Sequence, residues 1–378
     1  MKDHHFDIAI AAGGLAGLCL SIQMARGGYK VLLCEKERYP FHKVCGEYIA
    51  MESWKFLESL GVPLTDLRLP IIKRLQISDC NGKLLKHQLS PGGFGISRFT
   101  LEATLADIAR SLNVTLLEQT KVTDINYELN SHSIKTTSGS FKATIVSGSW
   151  GKRSNLDIKL NRPFVQPNPS QNTHYIAVKY HIETNFPDDL IELHNFNNGY
   201  CGISKVDNDP FCLCYLTTAQ NLQQNQNSIP KLEENILAKN PQLRNYFTQS
   251  RFLYEDPLTI SQLNFTRREV VNDHIFMIGD AGGLITPLCG NGMSMAMHAS
   301  KFLAEIANEF LKKRITRDQA ERLYQETWHH HFNKRLKAGR VFQGLFGKPS
   351  VTNAAVGILR QFPTLTNKLV RLTHGDTF

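Results

Sequence analysis

About thirty residues near the N-terminus constrain the fold more than any others. FDIAIAA (6–12) reads as a short buried strand, and LAGLCLSIQMAR (15–26) carries apolar residues at helical spacing. Gly27-Gly28 ends that helix, as glycine does at a helix C-terminus, and KVLLCE (30–35) is a second apolar strand. Two strands joined through one helix should pair in parallel, with a right-handed crossover. An α/β fold is therefore expected. The 378 residues suffice for two domains, or for one large α/β domain with an insertion.

The turn inside this unit, AAGGLAG (11–17), follows the pattern G-x-G-x-x-G with one change. In a dinucleotide turn the first glycine permits the bend, the second lets backbone approach the pyrophosphate, and the third lets helix pack on strand. Gly14 and Gly17 hold the second and third places, and Ala12 holds the first. The helix N-terminus then offers unpaired N–H groups to phosphates. An acid should end the second strand and bind a ribose hydroxyl; Glu35 does so, 23 residues after Ala12. Strand, turn, helix, strand and acid together point to nucleotide binding. The competing reading makes Glu35 a solvated strand end and gives the glycines to packing alone. Ala12 is harmless at negative φ and costs about 1 kcal/mol or more at positive φ.

The later chain alternates differently. Residues 72–87 hold a hairpin signal, Cys80-Asn81-Gly82-Lys83, between alternating runs. LEATLADIARSL (101–112) is an amphipathic helix, followed by strand candidates at 114–118, 121–128 and 132–147, the last broken at Ser138-Gly139. Residues 174–216 are rich in β-formers, 230–246 look helical, and the strand HIFMI (274–278) leads into Gly279-Asp280. From Asn291 on the chain is mainly helical, with loops around 347–352. Gly92-Gly93-Phe94-Gly95 reads as a loop that opens no helix, so no second dinucleotide turn is seen.

Four stretches resemble the large flavoprotein family that holds FAD-dependent aromatic hydroxylases, geranylgeranyl reductases and flavin-dependent halogenases, and they span nearly the whole chain. They are IAAGGLAGL with Glu35-Lys36, Lys43-Val44-Cys45-Gly46-Glu47, Ser97-Arg98, and GDAGGLITPLCGNGMSMAMHAS (279–300). The resemblance implies FAD as cofactor and a Rossmann-like FAD-binding domain. It implies contacts from Gly13, Gly14, Leu15, Ala16 and Gly17 in the turn, and from Glu35 and Lys36 after the second strand. It places Lys43, Cys45 and Gly46 beside the isoalloxazine, Arg98 near the diphosphate, and Val122 at the cofactor. Asp280 would bond the ribityl chain, while Pro287, Gly290, Asn291 and Gly292 bring backbone to the ring. A helix starting near Asn291 would aim its positive end at the flavin N1–O2 edge and stabilise the negative charge of reduced flavin.

The chain departs from each branch of that family somewhere. Hydroxylases carry Gly-Ala-Asp-Gly-x-x-Ser; here Trp150 stands where the Asp would, which weakens the usual NADPH handling. Halogenases carry Trp-x-Trp-x-Ile-Pro, and the nearest stretch, Gly199–Ser204, lacks both tryptophans, so halogenation is discounted. Reductases carry a Cys-Gly, matched by Cys45-Gly46, and a Gly-Tyr-x-Trp-x-Phe-Pro stretch, of which only Gly199-Tyr200 is kept. The reductase branch fits best, with its polyprenyl substrate in doubt. Cys45 and Cys289 read either as thiols that touch substrate or as small apolar fillers, with the filler reading ahead. His329-His330-His331 are adjacent on a helix and point about 100° apart, which does not suit one metal ion, so no metal is expected. No acid or base is assignable; His194 and Tyr200 are weak candidates on the substrate sheet, each better explained as structural.

Charge and composition narrow the partners. A net charge of +9 is spread along the chain, with clusters at Lys312-Lys313-Arg314 and Lys334-Arg335 and no known nucleic-acid motif. A solvated helix face is the simpler reading, and a weak attraction to a membrane surface stays open. The eight Cys are scattered with no C-x-x-C, the N-terminus does not read as a signal peptide, and no apolar run approaches a membrane span. A cytoplasmic location is expected, peripheral at the membrane if that attraction holds. Together these readings give an FAD-binding domain from 1–70, 95–158 and 256–320. An inserted, mainly antiparallel β-sheet substrate domain comes from 71–94 and 159–255, and a helical C-terminal region from 321–378. The expected activity is an FAD-dependent oxidoreductase of reductase or dehydrogenase type on an apolar or aromatic substrate, isoprenoids included, with the electron donor unassigned. Two alternatives stand beside it: an FAD-dependent monooxygenase, and a non-catalytic flavin- or lipid-binding protein.

Overall fold

The computed structural model describes residues 5–166, 174–285, 290–345, 347–373 and 377–378. Strand β1 (His5–Ala11), helix α1 (Leu15–Arg26) and strand β2 (Val31–Cys34) form the expected unit, with β1 and β2 paired in parallel. After β3 (Tyr48–Ala50) and α2 (Trp54–Ser59) comes the hairpin of β4 (Ile71–Ser78) and β5 (Leu84–Gly95). Its turn is closed by the Asp79 carboxylate, which accepts from the N–H groups of Asn81 and Lys83. Helix α3 (Arg98–Ser111) leads into β6 (Thr115–Leu117), β7 (Val122–Glu128), β8 (Ser131–Thr136) and β9 (Gly139–Gly148). Next come α4 (Asn155–Lys159), β10 (Tyr175–Glu183), β11 (Leu190–Phe196), β12 (Gly199–Lys205) and β13 (Phe211–Thr218). Helices α5 (Ala219–Gln224), α6 (Ile229–Asn235) and α7 (Pro241–Gln249) precede β14 (Arg251–Phe252), β15 (Leu258–Leu263), β16 (Val271–Asn272) and β17 (Ile275–Met277). The chain then forms α8 (Asn291–Leu311), α9 (Arg317–Leu345), α10 (Pro349–Gln361) and α11 (Pro363–Thr373).

Two sheets organise these elements. The first runs β16-β17-β9-β1-β2-β6, with the pairs from β17 through to β6 parallel, and β7 and β8 extending it from β9. Side-chain alternation covers both of its faces. Ile8, Ile10 and Leu33 join the core with α1, α3 and α8, while Ala9, Ala11, Leu32 and Cys34 join a separate cluster on the other side. Fully buried side chains such as Ile8, Leu18 and Ile22 each contribute about 1.5–3 kcal/mol. The second sheet runs β14-β10-β13-β12-β11-β4-β5-β3, with β15 also on β10, and is antiparallel apart from the β11–β4 pair. It takes in β3 from the first hundred residues and β15 beyond residue 255.

Three local expectations change. The helix expected over 230–246 breaks into α6 and α7, because Asn240 caps a new helix through its side chain and Pro241 takes the first position. Gly92–Gly95 is the end of β5 rather than a loop, pressed so close to Ile49 and Lys205 that side chains would collide with their carbonyls. The loop expected around 347–352 gives way to α10 from Pro349.

Candidate functional site

The turn after β1 is held from several sides. Ala12 has φ 87°, the left-handed region, in a non-glycine residue. Its N–H donates to Cys34 O at 2.9 Å and its carbonyl accepts from Ser149 Oγ. A Cβ on Gly17 would strike the Ala12 carbonyl and Ser149 Oγ, so the third glycine is required by close approach. The Gly13 N–H donates to Glu35 Oε2 at 2.9 Å, and Glu35 Oε1 accepts from the Glu37 N–H at 3.1 Å. Glu35 is thus buried and ties the turn to the second strand, rather than standing as a solvated strand end. Each of its oxygens keeps a lone pair for a further donor.

Two cations meet over the start of α1. A Cβ placed on Gly14 would lie 3.6 Å from Lys43 Nζ and 4.0 Å from an Arg98 guanidinium nitrogen. Both side chains pair with buried Glu102: Lys43 Nζ at 3.0 Å to Oε2, and Arg98 Nε at 2.9 Å to Oε1. Burial opposes both the Arg98 and Glu102 charges, but each holds the other ionised, with Arg98 pushed up and Glu102 pulled down. A helix N-terminus with two cations beside it, against one carboxylate, would suit an anion by charge and geometry.

One cavity of about 900 Å³ starts at this anion site. Ala12, Gly14, Leu15, Ala16, Glu35, Lys36, Thr120 and Val122 line it near the first sheet, together with Trp150. Trp150 donates its indole N–H to Asp157 Oδ1 at 2.9 Å and packs against Gly148. Asp280, Gly290 and Gly292 line it at the start of α8, and Lys43, Cys45, Gly46 and Glu47 in the loop before β3. Gly290 caps α8 at φ 63°, and a side chain there would strike the Tyr48 ring. Asn291 is the first residue of that helix and is buried. Pro287 and Cys289 lie outside the described residues. Beyond Cys45 the walls become apolar: Leu75, Leu89, Leu193, Tyr200 and Leu216 from the second sheet, and Phe265 just after β15. Helices α10 and α11 close that end.

Cys45 is half-buried, with Sγ 3.7 Å from Met293 Sδ. It lines the cavity beside Gly46. Tyr200 also lines the cavity, whereas His194 does not: its nitrogens bond Ser78 Oγ at 2.9 Å and Glu192 Oε2 at 2.8 Å in full burial. In the His329–His331 run the first ring is partly buried while His330 and His331 are exposed, and buried Trp328 packs on Gly283.

A network that sequence patterns did not signal lies under the 43–47 loop. Glu47 has φ 56° and is fully buried. It accepts from Lys179 Nζ at 2.5 Å and the Arg98 N–H at 2.8 Å, and bonds His181 Nε2 at 2.6 Å. Burial would raise its carboxyl, but His181 and Lys179 pull it down to about 2. Lys179 also donates to Lys43 O, and Tyr254 OH bonds His181 Nδ1 at 2.7 Å and approaches His42. His42, Glu47 and His181 are close enough to share a metal. The buried Lys179 ammonium, hydrogen-bonded to Glu47, already supplies the positive charge there and would repel a metal ion. The network is a strut that fixes the loop between the anion site and the apolar chamber.

No protein-family model matches the chain. Over 399 aligned residues it is 21% identical to conditioned medium factor receptor 1 of Dictyostelium discoideum, covering 94% of this chain and 74% of that protein. Its fold matches a flavin-dependent brominase, Bmp2, with TM-score 0.80 at 16% identity, over 98% of this chain and 93% of that one. It also matches a geranylgeranyl bacteriochlorophyll reductase-like protein from Thermoplasma acidophilum, with TM-score 0.76 at 14% identity, over 98% and 100% of the two chains. The chain therefore has the Rossmann-type fold seen in flavin-dependent enzymes. Among the described residues, no helix is long and apolar enough to cross a membrane.

Proposed function

We propose that this protein is an FAD-dependent oxidoreductase of reductase or dehydrogenase type that acts on an apolar small molecule. The carrying observation is the single cavity, which runs from a cationic helix N-terminus to an apolar chamber. The residues suit FAD at each step. The α1 N-terminus with Lys43 and Arg98 suits a diphosphate, and Glu35 a ribose hydroxyl. Leu15, Ala16, Lys36 and Val122 line the nucleotide end, while Gly13 and Gly17, expected to touch the cofactor, hold the turn behind it. Asp280 would take the ribityl chain, and Cys45, Gly46, Gly290, Asn291 and Gly292 the ring. When bound, FAD supplies hydride exchange.

The chain's own residues do the rest. The apolar wall from Leu75 to Phe265 excludes water and orients a substrate by shape. The Glu47–Lys179–His181 strut holds the loop that separates it from the phosphate end. This division gives the first sheet to the cofactor and the second to the substrate. A cytoplasmic location accords with the seven described cysteines being free thiols.

Purified protein should show flavin absorption bands, or gain them on adding FAD. Their absence in both conditions refutes the reading. Oxygen uptake that yields hydroxylated product would instead make the protein a monooxygenase. A bound flavin that no organic acceptor reoxidises would make it a flavin-binding protein without catalysis.

A further inference from the structure

We infer that the α10–α11 hairpin is a lid that docks on an anionic lipid surface and admits apolar molecules to the cavity from it. What enters rests on the apolar-substrate reading above; the lipid contact itself does not.

The inner face of the hairpin belongs to the cavity. Thr352, Val356 and Leu359 of α10, and Thr366 and Leu369 of α11, line its apolar end. The outer side is apolar as well. Ile358 is 52% exposed, Phe362 54% and Leu365 41%, all at or beside the bend where Pro363 opens α11. Of the eleven exposed large hydrophobic side chains among the described residues, five fall between Val341 and Leu365. A helix pair apolar on both sides has two apolar environments to meet, and the cavity supplies only one.

The charge around the hairpin selects the second environment. Residues 327–375 contain eight Lys and Arg and no Asp or Glu. Of these, Lys334, Lys337, Arg340, Lys348, Arg360 and Lys368 are exposed, whereas Arg335 is buried against Glu52 at 3.0 Å. Apolar tips flanked by cations without anions match a bilayer carrying acidic headgroups. A protein partner of ordinary mixed charge would leave those cations unmatched. The mechanics also fit. The base of the hairpin is tied down, with Cys80 N–H donating to Asn353 Oδ1 at 3.1 Å and Asn198 N–H to Gly347 O at 2.6 Å. At the bend, Leu365 N–H donates to Phe362 O and Thr366 Oγ1 to Leu359 O, while Asn367 of α11 bonds the His87 side chain of β5.

The test is co-sedimentation of the full chain with vesicles of phosphatidylcholine alone, or with about 30% phosphatidylserine. Binding should require the anionic lipid and weaken in about 0.5 M salt. The double variant Ile358→Glu, Phe362→Glu should bind at least about tenfold more weakly. Neither side chain lines the cavity, so flavin content should be unchanged and reports that the variant is folded. Equal binding to neutral vesicles, or a variant that binds like the parent, overturns the inference. A dimer that this variant converts to monomer also overturns it, because the face would then join two copies of the chain. Vesicle binding without any flavin uptake leaves the lipid contact standing while the oxidoreductase reading fails.

Discussion

Replacing Ala12 with glycine tests the turn on which the site rests. Ala12 sits at φ 87°, where a Cβ crowds the backbone at about 1–2 kcal/mol. Its N–H and carbonyl are both bonded, to Cys34 O and from Ser149 Oγ, so the backbone cannot rotate away without losing those bonds. Glycine would release the strain but add about 0.4–1 kcal/mol of unfolded-state entropy. The balance is a gain of about 0–1.5 kcal/mol in stability. Ala12 also lines the cavity, so losing the methyl widens the approach to the phosphate end. FAD affinity should stay equal or rise, by up to about tenfold if binding adds further strain at Ala12 that glycine avoids. Urea unfolding without FAD reads the first term, and flavin fluorescence titration reads the second. Ala12→Val serves as the opposite control, since β-branching makes positive φ worse. A glycine variant that loses more than about 1 kcal/mol, or whose FAD affinity clearly falls, would show that this turn is not the strained phosphate turn described.

Three further outcomes follow from the site. Arg98→Met and Lys43→Met should each weaken FAD binding by about 10- to 100-fold, since each removes a charge-assisted contact, and titration at two salt concentrations checks it. Glu47→Gln should destabilise by about 3–5 kcal/mol, because it leaves Lys179 buried without its carboxylate; unfolding at pH 7 reads this. Glu47 titrates near 2 in the fold against an ordinary 4.5, so its contribution is complete above about pH 4.5 and fades as pH falls toward 2; the variant's pH profile should lack that slope. Glu233 behaves oppositely: burial pushes it up to about 7 although Tyr180 and Tyr215 donate to it. The fold keeps a proton there that the unfolded chain releases, so the parent should lose stability between pH 4.5 and about 7. Glu233→Gln should be flat across that window in thermal melts.

What could be read without the structure was local. The β-α-β unit, the Cys80–Lys83 hairpin turn and the start of α8 all showed in the sequence, because periods of 2 and 3.6 and the placing of glycines act over a few residues. Where such reading failed, as at 230–246 or Gly92–Gly95, one capping side chain or a distant backbone decided the outcome. By itself the sequence determined a parallel, nucleotide-suited first unit and the residue types around it. Only the tertiary structure decided that Lys43 and Arg98 share Glu102 over Gly14. The same holds for Glu47 meeting Lys179 and His181 across more than 130 residues, and for α10 and α11 roofing the apolar chamber. Such contacts have no period. They exist because burying a charge forces it to find a partner, and that partner is chosen by how sheets and helices pack rather than by its place in the chain.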